Sequence, residues 1–317
     1  MKYRIAPLHV RPWTLNGISP RLIESHYEHN YGSALARLNA VTEELERLDA
    51  TTPAPVLSRL KREQTPLLNS TLLHELYFAS LGGDGRTPTE LIAGALSRDF
   101  GSVDRWRDEF IDLAEALGGE AGWIVLTYVP RDHRLMNVSA MDHTQSIAGG
   151  IPILALDMYE HAYHIEFGAN PSAYVAAFMR NIHWAAVEER YQDATRVVPL
   201  RPLEQPEFGD LPSIAPEDVQ AMLESGQKVQ LIDTRPRHHM TRAQEIAEGA
   251  LRRDPERIAD WVGTLSKEGP VVTFCQYGFH VGCQSAAALR EAGFDARYMA
   301  GGHYAWKALK GPLKLME

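Results

Sequence analysis

The sequence contains very little cysteine. Its only two cysteines, Cys275 and Cys283, lie close together near the C-terminus. Two thiols in one short segment cannot supply the disulfide framework that holds many small secreted proteins together. We therefore expect a protein of a reducing compartment, the cytoplasm.

Long apolar runs are also missing. No stretch approaches the roughly 18 uninterrupted apolar residues that a membrane-spanning helix needs. The opening segment, MKYRIAPLHVRPW, has basic residues but lacks the apolar core of a secretory signal. The sequence thus predicts a soluble protein without a membrane partner.

Basic residues are fewer than acidic residues. The chain has 32 Lys and Arg residues against 41 Asp and Glu residues, a formal net charge of −9. Nucleic-acid binding depends on Lys and Arg side chains that neutralise phosphates, so nucleic acid is disfavoured as a partner. An anionic substrate would have to be attracted by a local positive field.

The length of 317 residues predicts two domains, since one hydrophobic core rarely organises so long a chain. Apolar residues at helical spacing predict a long helix over 18–48, with Ser19 as its cap and Pro20 at its first position. A second helix is predicted over 66–81. We expect the two to form a helical hairpin within residues 1–85.

Residues 86–195 are predicted to be a mixed α+β part that completes the first domain, residues 1–195. Apolar segments predict strands near 122–129, 135–138 and 151–156. Amphipathic spacing predicts a final helix over 172–191. The fold class expected for this domain is α+β.

A proline-rich segment, VVPLRPLEQPEFGDLPSIAP, follows. Its proline spacing breaks any regular helix or central strand, which predicts a linker over 196–211. Beyond it helices and strands alternate, including a helix over 254–265 and a strand over 271–274. That alternation predicts a parallel sheet covered by helices, in a second domain over 212–317.

Three histidines and one aspartate stand out among thirteen histidines, most of which need no function. His26 lies on the first predicted helix, His74 lies on the second, and Asp157 precedes His161 by four residues at a strand-to-helix junction. Three imidazoles and a carboxylate suit iron, manganese or zinc, because the set is too rich in nitrogen for calcium or magnesium.

The segment from Asp157 to Tyr163, Asp-Met-Tyr-Glu-His-Ala-Tyr, resembles the metal-binding motif of the iron/manganese superoxide dismutases. With SHYEHNYGSALARLN, AGWIVL and IPILALD, the resemblance covers roughly residues 5–192. It implies that His26, His74, Asp157 and His161 bind one iron or manganese ion per chain, with iron preferred. It also implies superoxide as the substrate and a homodimer, joined across the adjacent Glu160 and His161.

Several positions depart from the family pattern. Asn30 and Ala34 stand where the family has a second histidine and a channel tyrosine, and Tyr31 or His29 could reach the same region from a neighbouring turn. Ser70 replaces a glutamine that some members place beside the bound solvent, which makes His143 our candidate for that role. These changes leave open a protein that binds metal but dismutates superoxide poorly.

Cys275 lies between a predicted strand and a predicted helix, in Phe274-Cys-Gln-Tyr-Gly-Phe-His280. The amides at a helix N-terminus stabilise a thiolate, so this cysteine could be a nucleophile. Alone, such a cysteine is more often a small buried apolar residue. The order of 229–235, 248–250, the Cys275 loop and 301–306 resembles single-domain rhodaneses over about residues 212–312.

That resemblance implies that Cys275 accepts a sulfane sulfur as a persulfide, held by the backbone amides of residues 276–280. The partners would be a small sulfane-sulfur donor and a thiophilic acceptor. His280 stands where thiosulfate-using members often have arginine, which leaves the donor open. Val281 disfavours a phosphatase, whose loop needs an arginine there, and Cys283 could resolve the persulfide or only pack.

Three hypotheses follow from these observations. The first is a superoxide dismutase fused to a sulfurtransferase. The second is a sulfurtransferase in which the metal-binding half is a dimerising scaffold. The third is a non-catalytic stress-resistance protein that binds a metal or an oxyanion.

Overall fold

The computed structural model describes residues 2–197, 210–236 and 244–316. The chain forms two compact units, Met1–Leu200 and Arg201–Glu317. Most of the predicted linker, residues 198–209, lies outside the described residues. No helix in the described ranges is both long enough and apolar enough to cross a bilayer.

The first unit begins with the predicted helical hairpin. Its first arm is α1 (Pro20–Ser25), a π-helical segment (His26–Tyr31) and α2 (Gly32–Glu46), and its second arm is α3 (Ala54–Ala79). The Ser19 side chain accepts a hydrogen bond from the Leu22 amide, so the predicted cap of α1 is present.

The prediction that the second helix starts at Pro66 is wrong, because α3 begins twelve residues earlier and Pro66 lies inside it. An internal proline removes one helical hydrogen bond. The helix continues through Pro66 because its apolar face packs against α2 both before and after the proline. Leu60 and Leu67 belong to one buried cluster with Leu38 and Val41 of α2. Tertiary packing thus outweighs the local penalty.

The rest of the first unit places a three-stranded antiparallel sheet among helices. The strand order is β2-β1-β3, and β1 is buried along its whole length. The bounds are α4 Glu90–Phe100, α5 Val103–Ala116, β1 Trp123–Val129, β2 Arg134–Ala140, β3 Ile151–Asp157, α6 His164–Phe167, α7 Pro171–Met179 and α8 Trp184–Thr195. Trp123 opens β1 directly opposite Asp157, the last residue of β3.

The predicted single helix over 172–191 is also wrong, because two helices occupy that stretch. The break is fixed by Asn181, whose buried side-chain amide donates to the carbonyls of Ala177 and Asn16 at 2.7 and 2.9 Å. The His183 amide then donates to the Ser80 carbonyl at 2.8 Å. These bonds tie the break to the end of α3, and local amphipathic spacing cannot reveal contacts so distant in sequence.

The second unit contains the predicted parallel sheet, with strand order β4-β9-β8-β5-β7. A separate antiparallel pair joins β6 and β10. The bounds are β4 Ser213–Ile214, α9 Pro216–Glu224, β5 Gln230–Asp233, β6 Glu245–Ala247, β7 Leu251–Arg252, α10 Ile258–Trp261, β8 Val271–Phe274, α11 Val281–Glu291, β9 Ala296–Met299, α12 Gly302–Ala308 and β10 Leu313–Leu315.

In this unit, the prediction of one continuous helix over 254–265 is wrong. The stretch is divided into a 3-10 turn at Pro255–Arg257, the short α10 and a second 3-10 turn at Val262–Thr264. The Trp261 indole donates to the Asp254 carbonyl at 2.9 Å. This bond closes the segment on itself and favours tight turns over a regular helix. The expected α+β class, with a parallel sheet in the second unit, is confirmed.

Candidate metal centre and cysteine loop

Four side chains from distant parts of the first unit meet at one point. His26 opens the π-helical segment, His74 comes from α3, Asp157 ends β3, and His161 lies in a 3-10 turn at Glu160–Ala162. Each offers one ligand atom, and these atoms lie within 4.8 Å of one another. The four residues predicted from the sequence are therefore brought together.

The distances suit a small cation. The Asp157 Oδ2 atom lies 3.0 Å from the Nε2 atom of His26, 3.2 Å from that of His161 and 3.6 Å from that of His74. Ligands held at about 2.1 Å from one ion are separated by roughly 3.0 to 3.6 Å when they subtend angles of 90 to 120°. Three imidazole nitrogens and one carboxylate oxygen match a transition-metal ion.

The protonation states are also those that a metal requires. Burial would raise the pKa of Asp157, but hydrogen bonds from His161 and His26 outweigh it and hold that pKa well below its usual value. Burial lowers the pKa of His26, and it lowers the pKa of His74 to about 3. The carboxylate of Asp157 is therefore anionic and the imidazoles of His26 and His74 are neutral, as ligands of a cation must be.

His74 shows which nitrogen is available. Its Nδ1 atom lies 2.7 Å from the Ser70 carbonyl oxygen, and since that oxygen can only accept, Nδ1 carries the proton. The Nε2 atom is then an acceptor, and it is buried with no hydrogen-bond partner in the part of the chain that the structure describes. An unpaired buried acceptor costs about 1–3 kcal/mol, and a metal ion bound at Nε2 would remove that cost.

Tyr31 comes close to this group through the π-helical segment. A straight α-helix would turn residue 31 about 100° away from position 30, but a π-turn accommodates an extra residue and changes that phase. The Tyr31 ring lies 6.3 Å from the His74 ring. Its hydroxyl donates to the Glu75 Oε1 atom at 2.8 Å and accepts from the Ala6 amide at 2.7 Å.

His143 lies beside the four ligand candidates, and its orientation depends on a residue that the sequence argument did not single out. The Trp123 indole donates to the His143 Nδ1 atom at 2.9 Å. Neutral His143 must therefore carry its proton on Nε2, and burial lowers its pKa. No local signal in the sequence points to Trp123, because its place opposite Asp157 is set by the pairing of β1 with β3.

A cavity of about 360 Å³ reaches this group from the surface. His74, His143 and His161 line it. Asn30 and Ala34, two of the departures from the family pattern, also line it, together with Arg37 and Glu63. Arg37 is largely exposed and its Nη2 atom lies 3.6 Å from the Glu63 Oε1 atom.

In the second unit, Cys275 follows β8 and begins the loop that leads into α11. Its side chain is buried, and its thiol donates to the Phe279 carbonyl at 3.0 Å. Gly278 and Gly302 have positive φ, and a Cβ on either would lie about 2.4 Å from backbone atoms of the other segment. Only glycine therefore permits this loop to pack so closely against the start of α12.

Two ionisable residues near the end of β5, Asp233 and Arg235, and the second cysteine, Cys283, have buried side chains. The Arg235 guanidinium donates to both carboxylate oxygens of Asp233, and both side chains are fully buried. Cys283 is buried, and burial raises the pKa of its thiol to about 11. A protonated, enclosed thiol is a poor nucleophile, which favours packing over persulfide resolution.

Comparisons with known proteins agree with this geometry. The model of the iron/manganese superoxide dismutase C-terminal domain matches residues 88–190, and that of the rhodanese-like domain matches residues 215–309. An iron superoxide dismutase of Cupriavidus metallidurans is 53% identical over 197 residues, which is 62% of this chain and 100% of the relative.

More distant relatives include both metal types. An iron superoxide dismutase of Aquifex pyrophilus is 33% identical, covering 59% of this chain and 91% of its own. A manganese superoxide dismutase of Mycobacterium intracellulare is 31% identical, and the match covers 56% of this chain and 86% of the relative. The chain belongs to the iron/manganese superoxide dismutase family, and it carries a rhodanese-like domain after the family's fold.

Proposed function

We propose that the first unit converts two superoxide ions and two protons to dioxygen and hydrogen peroxide at a mononuclear iron or manganese site. The observation that carries this proposal is the buried group of His26, His74, Asp157 and His161, with an unpaired nitrogen on His74. The bound ion would supply the redox chemistry by alternating between its +3 and +2 states. Iron is preferred because the relative with 53% identity is an iron enzyme.

The chain's own residues would set the conditions for that chemistry. Asp157 is anionic and buried, so it favours the more highly charged state of the ion. His143 carries its proton on Nε2 and lines the cavity, where it can donate a hydrogen bond to solvent or substrate. Tyr31 would act indirectly, since its ring lies 6.3 Å from that of His74 and its hydroxyl donates to Glu75, the residue after His74.

The assembly is a further part of this proposal. His161 is the most exposed of the four ligand candidates, with 28% of its side chain accessible in the isolated chain. We propose a homodimer that covers His161 and the adjacent Glu160. The cytoplasm is the proposed compartment, and the two free cysteines suit it.

Elemental analysis followed by a superoxide assay tests the first unit. We expect about one iron or manganese ion per chain, and loss of both metal and dismutation in His74→Ala and Asp157→Ala. His9→Ala removes an exposed histidine and serves as the matched control. If the metal-loaded protein does not remove superoxide, or if Asp157→Ala keeps full activity, the proposal fails, and a metal-free protein would favour the scaffold hypothesis.

We propose in addition that Cys275 carries sulfane sulfur, which the rhodanese-like match over residues 215–309 supports. The Cys275 thiolate would attack the outer sulfur of a donor, forming a new S–S bond while the donor's own S–S bond breaks and its electron pair leaves with the donor. A thiophilic acceptor would then remove the outer sulfur and restore the thiolate. The role of the amides of residues 276–280 remains a prediction.

Intact-mass measurement tests this second activity. Incubation with a sulfane donor should add one sulfur atom to the wild-type chain and none to Cys275→Ser. Cys283→Ser serves as the control and should still take up the sulfur. Uptake that persists in Cys275→Ser would contradict the assignment.

A further inference from the structure

Three aromatic side chains stand next to one another on the surface beside Cys275. The rings of Tyr277 and Tyr304 are stacked with their centroids 5.1 Å apart, and those of Tyr277 and Phe279 are stacked at 5.9 Å. Roughly half of each residue is exposed, at 49% for Tyr277, 48% for Phe279 and 55% for Tyr304. We call these three residues the aromatic shelf.

The shelf is fixed to the thiol by backbone contacts. Phe279 accepts the hydrogen bond of the Cys275 thiol through its carbonyl. The amide of His303 donates to the Cys275 carbonyl at 2.9 Å, and that of Tyr304 donates to the Gln276 carbonyl at 3.1 Å. The start of α12 is therefore bonded to the cysteine loop, which places the Tyr304 ring against the loop.

Isolated exposed aromatics need no explanation, but a contiguous group usually marks a binding surface. The remaining exposed large hydrophobics of the described part of this unit are leucines and include no aromatic ring: Leu223, Leu251, Leu309, and Leu313 and Leu315 on β10. The concentration of rings beside the nucleophile therefore indicates contact with whatever delivers or removes sulfur.

The charge of the loop indicates which kind of donor fits. Residues 276–280 read Gln-Tyr-Gly-Phe-His and include no Lys or Arg. Arg235, the one fully buried arginine in the described part of this unit, donates to Asp233 and to the Glu245 carbonyl. Thiosulfate is a small dianion that gains its affinity from positive charge, and it presents no apolar surface to the three rings.

We propose that Cys275 takes its sulfur from organic sulfane donors whose aryl or similarly flat apolar body packs on the aromatic shelf, in preference to thiosulfate. The inference rests on the proposed sulfur-transfer role of Cys275. In the reaction, the Cys275 thiolate attacks the terminal sulfur of R–SO2–S⁻ or R–S–SH. The new S–S bond forms as the old one breaks, and R–SO2⁻ or R–S⁻ leaves with the bonding electrons.

Two thiosulfonates separate the body of the donor from its reacting group. Benzenethiosulfonate and methanethiosulfonate each transfer their terminal sulfur and each release a sulfinate. The ratio of their kcat/KM values therefore isolates the contribution of the aryl ring. With the full-length protein, we expect the kcat/KM ratio of benzenethiosulfonate to methanethiosulfonate to be well above the ratio of their rate constants with a free thiol in solution. Thiosulfate should be the poorest of the three donors.

Variants of Tyr304 test whether the shelf causes the preference. Tyr304→Ala should lower the ratio about 2- to 10-fold, the range expected for loss of one aromatic contact. Tyr304→Phe keeps the ring and should keep the ratio. Leu309→Ala, which removes an exposed apolar side chain outside the shelf, should also keep it.

The outcomes distinguish the two proposals. If neither thiosulfonate adds sulfur to Cys275, the sulfur-transfer role itself is wrong. If both load Cys275 with the ratio of the uncatalysed reactions, or if thiosulfate is the best donor, sulfur transfer stands and the inferred preference is overturned. The same applies if Tyr304→Ala leaves the ratio unchanged.

Discussion

At the scale of single residues, the protein relies on neighbours that fix the protons of its histidines. Ser70 accepts from Nδ1 of His74, and Trp123 donates to Nδ1 of His143. The two contacts have opposite effects, since the first leaves Nε2 of His74 as an acceptor and the second leaves Nε2 of His143 as a donor. The same residue type is thereby given two roles within one site.

Trp123→Phe tests the second contact. It removes the indole N–H but keeps an aromatic ring, so His143 loses the bond that selects its tautomer. We expect dismutation to fall by about 10- to 100-fold, the usual cost of losing an outer partner at a metal site. Metal content should be retained, which elemental analysis checks, and Trp13→Phe, at an exposed tryptophan, is the control. Unchanged activity in Trp123→Phe would show that the orientation of His143 is immaterial.

His303 provides a second prediction at this scale. It is fully buried, and neither ring nitrogen has a hydrogen-bond partner among the described residues. It stacks on Phe274, and burial and the positive charge of Arg235 lower its pKa to about 4. The unfolded chain binds this proton near pH 6.5, so the stability contribution of neutral His303 is complete above that pH. It is lost as the pH falls towards 4, by on the order of 2–3 kcal/mol.

Calorimetry of the unfolding transition of the second unit between pH 7 and pH 4 measures this loss. His303→Phe keeps a flat ring and removes the titrating nitrogens, so the transition should become less dependent on pH. The charged neighbours Asp233, Glu245, Arg235 and Lys307 are unchanged in that variant. If the unfolding transitions of wild type and His303→Phe depend equally on pH, the loss of stability comes from those charged neighbours and not from His303.

At the scale of elements, the sequence predicted structure best where local pattern and packing agree. The strand over 271–274, the hairpin and the parallel sheet were all predictable because burial follows their periodicity. The errors arose where a distant contact decides, as at Pro66, which packing keeps within α3, and at Asn181, which ends α7 by bonding to Asn16.

The candidate site shows the same division. The four ligand candidates were recognisable from residue type and family spacing. The Trp123–His143 bond depends on antiparallel register between β1 and β3, and the proximity of Tyr31 depends on the π-helical segment. Neither property is written in the local sequence, so neither contact could be predicted.

At the scale of the whole molecule, electrostatics opposes the proposed substrate. The chain carries a net charge of −9, and superoxide is an anion. Arg37 lines the cavity, and its exposed side chain is only loosely paired with Glu63. A positive charge at the entrance can offset the overall repulsion and raise the rate of encounter.

Arg37→Gln should therefore lower kcat/KM for superoxide about two- to fourfold at low salt, the effect of one unit charge at roughly 5–10 Å in water. The difference from wild type should shrink as added salt shortens the screening length. Arg47→Gln removes the same charge from the far end of the first arm and should have less effect. Stopped-flow measurements across ionic strength would contradict this view if both variants behave alike.

The four ligand candidates come from two different parts of the first unit, His26 and His74 from the hairpin and Asp157 and His161 from the end of the sheet. An ion held among them would bridge these parts, so the hairpin could not separate from the sheet without breaking metal bonds. Exchange of the ion with the surroundings would then be limited by opening of the fold, and loading would occur most readily while the chain is first folding.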